Sequence, residues 1–302
     1  SRDQVESVRS QMASLRHSDQ GMGLILAGGY TEGDWGADLH MGADREMTTY
    51  TAGLHAPVGD NGRVAIALTS NNTDVNYGSS YSSDQYAGID AGMIKSSGMG
   101  VVLSASHTMG SMFFEVTPEL MWGSMNTARD LRLLAFDREQ TARTDYVSAG
   151  ITLASGWDMM SSDNIAFGPM LEYSYRNVTV DGFAENEMNS NALNVSQQKW
   201  SESLVGGGLF ANYQAGNFFM DANARYLVNL DDGRETVNMA LQSIASNTFW
   251  LPTQMRTDEI TEAELSAGYN WCNVMVKGSY RYQDTGSQGN NEMLSVSASY
   301  AF

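Results

Sequence analysis

The sequence predicts an all-β fold, a transmembrane antiparallel barrel of twelve strands with an N-terminal α-helix in its lumen, and three observations lead there. Apolar and polar residues alternate with a period of two from near Gly23 to the last residue. Charged residues recur on the polar side of that alternation. The segments joining the strands are short and long by turns. No apolar run approaches the roughly 18 residues of a membrane helix, so any crossing must be made by strands.

The helix comes first. In residues 1–20, SRDQVESVRSQMASLRHSDQ, the apolar Val5, Val8, Met12 and Leu15 recur at helical spacing, and Gly21 stands just past the end. The stripe is narrow. Arg2, Asp3, Glu6, Arg9, Ser10, Ser14 and Arg16 make the other faces too polar for lipid and the whole too one-sided for a free helix. At about 1.5 Å per residue the segment spans about 30 Å, the thickness of a bilayer core. It suits either an amphipathic tail or a helix lying inside the barrel. The chain therefore divides at residue 20, with the barrel over residues 21–302.

The strands follow from their outward sets. Leu24/Leu26/Tyr30, Tyr50/Ala52/Leu54, Val64/Ile66/Leu68, Val101/Leu103/Ala105 and Phe114/Val116/Leu120/Trp122 mark the first five. Ile25, Ala27 and Gly29 fit the lipid face equally well, so the first strand has two possible phases. Val147/Ile151/Leu153, Phe167/Leu171/Tyr175, Val205/Leu209/Tyr213, Phe218/Ala222/Tyr226, Leu265/Tyr269/Trp271 and Val276/Tyr280/Tyr282 mark the next six. The closing strand reads EMLSVSASYAF over residues 292–302. Its roughly 10 residues suffice for a tilted strand to cross, and Tyr300 and Phe302 suit an aromatic girdle.

Short turns are expected at 57–62, 109–111, 157–164, 214–217 and 272–273, and long loops near 31–46, 75–98, 127–143, 179–199, 230–259 and 284–290. Short turns on one rim and long loops on the other are the membrane-barrel arrangement, with the short side periplasmic. Residues 85–94, QYAGIDAGMI, read as strand too; an even strand count places them in the second long loop.

The lumen side carries charge that a packed core could not hold. Glu115, Glu119, Glu172, Asp221, Glu262 and Glu264 form an inward acid band, joined by Arg176, Arg225, Lys277 and Arg281. Such groups must be paired or hydrated. A wet lumen holding a polar helix does both, and Arg9 and Arg16, two turns apart on one helix face, are placed to meet that band at two levels. The apolar helix edge is expected beside Gly206, Gly208 and Phe210.

Composition agrees with a large barrel. Of 302 residues, 30 are Gly and only 4 Pro, with no break that would mark a linker. The mean hydropathy of −0.31 fits strands wet on one face. A net charge of −18 argues against a nucleic-acid surface. The single Cys272 excludes an intramolecular disulfide and a cysteine metal site. No catalytic, cofactor or metal site is expected. His17 lies in the helix, His55 and His107 near short-turn strand ends, and His40 alone in a long loop. Asp231-Asp232-Gly233 is first a turn signal. Gly206-Gly207-Gly208 lacks the strand-to-helix setting of a phosphate loop and reads instead as a place of close approach.

With these elements in hand, the chain resembles the C-terminal translocator β-barrel domain of autotransporters, the type Va secretion proteins. Beyond the terminal SASYAF, the resemblance rests on residues 51–77, TAGLHAPVGDNGRVAIALTSNNTDVNY, and on VDGFAENE at 180–187 followed by SESLVGGGLFANY at 201–213. The latter pair is similar to translocators that carry lipase or esterase passengers. The resemblance implies a monomer in the bacterial outer membrane that exports and anchors an N-terminal passenger. Helix 1–20 would be the linker left in the pore, and Tyr300 and Phe302 would be the assembly signal read by the barrel-assembly machinery and periplasmic chaperones. A passive porin and an outer-membrane hydrolase are the alternatives.

Overall fold

A computed structural model of the chain describes residues 2–16, 21–35, 43–77, 92–133, 136–161, 164–186, 192–231, 236–244, 248–252, 258–286 and 289–302. Helix α1 (Arg2–Arg16) has no Gly or Pro to interrupt it, and Asp3 in its first turn faces the positive end of the helix dipole. The barrel strands follow: β1 (Gly23–Trp35), β2 (Ala43–Val58), β3 (Gly62–Tyr77), β4 (Gly92–Met109), β5 (Met112–Leu133) and β6 (Phe136–Trp157). The two-residue β7 (Met160–Ser161) precedes β8 (Ile165–Val180). Two short strands, β9 (Phe183–Ala184) and β10 (Leu193–Val195), lead to β11 (Gln198–Ala215) and β12 (Phe218–Asn229). After β13 (Thr236–Leu241) and β14 (Thr248–Pro252), the wall resumes with β15 (Glu259–Trp271), β16 (Val274–Asp284) and β17 (Gly289–Ala301).

Twelve of these strands close into one antiparallel barrel, each paired with its neighbour along the chain, and β17 returns to β1. That seam runs in register from Gly23 opposite Ala301 to Trp35 opposite Gly289. Closure leaves the backbone no open edge, the condition for a sheet in hydrocarbon.

Alternation sorts the side chains. Leu24, Leu26 and Tyr30 face out while Ile25 is fully buried inside, which settles the phase of β1. Leu265, Val276, Leu294 and Val296 are likewise exposed on the outer face, and Glu262, Glu264, Lys277 and Ser297 are buried in the lumen. One rim carries tight turns. Gly110, at φ +62°, occupies a left-handed position in the two-residue link from β4 to β5, and Cys272, at φ +53°, does so between β15 and β16 without glycine's freedom.

The other rim departs from the sequence expectation. The strands run well into the segments read as loops: β4 starts at Gly92, and β5 and β6 extend to Leu133 and Phe136 as a projecting hairpin. Alternating hydrophobicity tracks the lipid face, so it is silent where two polar strands continue to pair beyond it. Residues 85–91 lie outside the described residues, and 92–94 belong to β4. Two long connections, 181–197 and 230–258, contribute a second sheet in the order β14-β13-β10-β9. Arg129 of β5 ties it to the rim with a two-pronged contact to Glu185, at 3.0 and 2.8 Å.

Candidate functional site in the lumen

Helix α1 lies in the lumen, bonded to inward side chains of the wall. Asp3 meets Arg45, two residues into β2 from the long-loop rim, and Ser14 meets Asp221, just past the short turn before β12. The helix N-terminus therefore points to the long-loop rim and its C-terminal end to the short-turn rim. Val5, Val8, Met12 and Leu15 are almost wholly buried, in one cluster with Ile25, Ala65, Ala67, Val102, Met121, Phe219 and Met275. This corrects the expected neighbours. Phe210 instead packs edge-on to Phe113, ring centres 5.3 Å apart, in a separate cluster with Met170. The polar helix face must turn to the charged wall of β5, β8, β12, β15 and β16, which sends the apolar edge largely to the opposite side. A Cβ on Gly206 or Gly208 would run into the carbonyls of Tyr226 and Ala224, so these glycines serve the close approach of β11 and β12.

The upper half of the helix is held by ion pairs. Arg9 reaches Glu115 at 2.8 Å, Glu172 at 3.0 Å and its own Glu6 at 2.7 Å. Arg225 reaches Glu172 at 2.6 Å, helix Glu6 at 2.9 Å, and Glu262. Arg2 lies 3.6 Å from Glu172 and 3.7 Å from Glu262. Arg281 approaches Asp3, Glu262 and Glu264 at 3.6, 4.0 and 3.7 Å. With Arg45 at 3.1 Å from Asp3, five guanidinium groups interleave with six carboxylates. Planar guanidinium suits such shared contacts because each can serve several oxygens at once.

The lower half is held differently. The Lys277 ammonium donates to the Ser10 carbonyl at 2.6 Å and to the hydroxyls of Ser10 and Ser14 at 2.8 and 3.0 Å. Those hydroxyls in turn donate hydrogen bonds to Glu264 and, at 2.7 Å, to Asp221. Gln11 donates to Ser297.

Of the acid band, the structure thus brings Glu115, Glu172, Glu262 and Glu264 together around the helix, with Asp221 below. Glu119 stands aside, paired with Arg176 at 2.7 Å. The side chain of Arg16 lies outside the described residues, as do His17, His40 and Asp232. The sequence reading missed Arg2, Asp3, Glu6 and Arg45 as members of the clamp. Asp3 and Glu6 answer wall arginines, and Arg45, assigned to a loop, is a strand residue. The signal was present: Asp3, Glu6, Arg9 and Ser10 fall three or four apart, on one side of the helix.

His55 is buried, its Nδ1 3.0 Å from an Arg63 nitrogen, whereas His107 faces outward. Asp231 lies in a turn capped by Asn229, whose Oδ1 accepts the Asp231 backbone N–H at 3.1 Å. Among the described residues, no three His, Cys, Asp or Glu side chains are grouped to hold a metal ion.

The Autotransporter beta-domain family model matches residues 25–288. The fold is similar to the translocator domain of autotransporter NalP from Neisseria meningitidis, with TM-score 0.77 and 14% identity over 98% of this chain and 94% of that one. It is also similar to the transport unit of autotransporter AIDA-I from Escherichia coli, with TM-score 0.58 and 13% identity over 99% of each chain. Esterase EstA of Pseudomonas aeruginosa is 29% identical over 119 residues, 34% of this chain. The match covers 18% of that relative's length.

Proposed function

The chain belongs to the autotransporter β-domain family, and from that premise we propose that it exports an N-terminal passenger across the bacterial outer membrane and anchors it there, with α1 as the linker left in the pore. The translocator role itself is the family's. The observation that carries the finer reading is the direction of the helix: its N-terminus lies at the long-loop rim, so whatever precedes it is delivered on that side. A pore filled and clamped by its own chain also speaks against a passive porin.

The partial likeness to an esterase suggests a hydrolase passenger, and any catalysis would belong to that part. Tyr300 and Phe302, exposed at the end of the seam strand, suit recognition by the barrel-assembly machinery and periplasmic chaperones. The apolar outer face suits direct contact with lipid around a monomer. A reporter fused ahead of Ser1 tests the reading. It should be removed by protease added to intact cells while the barrel survives; a reporter protected until the outer membrane is opened would refute the proposed polarity. Without residues 1–20, the purified barrel should conduct more in planar bilayers than the full chain.

A further inference from the structure

We infer that Lys277 is a positioning residue, which sets the resting register of the lumen helix by reading the hydroxyl pair Ser10 and Ser14. The inference rests on the proposed linker role for its meaning in secretion, but the contact can be tested on the purified chain. An ammonium has three protons, and here all three are used, on one carbonyl and two hydroxyls of the helix. Lys277 is 1% exposed and forms no ion pair within 4.0 Å among the described residues, although Glu264 and Asp221 lie just behind the two serines.

The serines stand four apart, one above the other on a single helix face. Sliding the helix by one residue moves them about 1.5 Å along the axis and about 100° around it, which breaks both contacts together. Two of the three bonds end on side-chain hydroxyls, so the ammonium is satisfied only where both positions carry one. The contact is therefore selective for small hydroxyl residues at this spacing, and it links them to two wall carboxylates without any carboxylate touching the lysine. A segment without such a pair would pass this level without stopping.

The test is a double-mutant cycle read as single-channel open probability. Lys277→Met should raise it at least tenfold over the full chain, and so should Ser10→Ala with Ser14→Ala. All three changes together should do clearly less than the two sets added, because the bonds between the ammonium and the two hydroxyls are common to both. Ser10→Thr with Ser14→Thr, which keeps the hydroxyls, should stay closed. The serine variants leave the barrel wall intact, so they decide the matter if Lys277→Met fails to fold. Additive effects, no effect of the serine pair, or opening by the threonine pair would each overturn the inference. Deletion of residues 1–20 is the control: if it leaves conductance unchanged, the linker reading fails; if it opens the pore while the serine variants do not, the positioning role alone fails.

Discussion

The two halves of the lumen helix solve one problem in different ways. From Arg2 to Arg9, charged groups on the helix interleave with opposite charges on the wall; from Ser10 to Leu15, two hydroxyls and an amide take over while the apolar residues Met12 and Leu15 remain buried. Buried charges are costly to desolvate and are held only when each is paired or fully hydrogen-bonded. The upper half is thus intolerant of a single missing partner. Hydroxyls lose far less when a contact breaks, so the lower half tolerates the loss of one partner better than the upper.

The sharpest way to break this contrast is Arg225→Met. It would leave Glu6, Glu172 and Glu262 facing one another with too little positive charge. The expected loss is about 3–5 kcal/mol, read from thermal unfolding of the refolded barrel in detergent. A loss smaller than that from a lower-half variant would invert the comparison. Met12→Ala provides the reference for packing below. It should cost about 2–3 kcal/mol, within the range for truncating a buried Met. Ser14→Ala sharpens the contrast from the other side, with about 1 kcal/mol lost in the same assay, since one hydroxyl is removed and Asp221 keeps Ser266 nearby.

Smallest of all is a change outside both halves. Cys272→Gly should raise stability by under about 1 kcal/mol, because Cys272 pays for a left-handed backbone that glycine adopts freely. An unchanged or lower unfolding temperature would show that the turn relaxes in solution.

The wall was legible because lipid outside and water inside impose a strict alternation, which Leu294, Val296 and Tyr300 against Ser295, Ser297 and Ser299 display without interruption. The inward glutamates were found by the same parity. Their partners were not, because which arginine meets which carboxylate depends on the shear of the barrel and the rotation of the helix. Neither has a local signature. Arg45 was lost to a loop since its strand stretch, ADREMTT, has little apolar content on the outer side. The rim sheet was missed for a similar reason: β9 and β10 are two and three residues long, too short for any period to show.

The seam between β1 and β17 has a consequence in time. Gly23 pairs with Ala301, so the first strand of the barrel wall waits for the last. Hairpins such as β15 with β16 can form locally and early, but the cylinder cannot close until β17 has been made, and pairing over so long a separation is intrinsically slow. During that interval β1 offers one open edge, with Leu24 and Leu26 beside it, to whatever is nearby. The chain must therefore travel unclosed to the place where it folds, and the step that seals the wall also encloses the lumen, with whatever polypeptide lies in it at that moment.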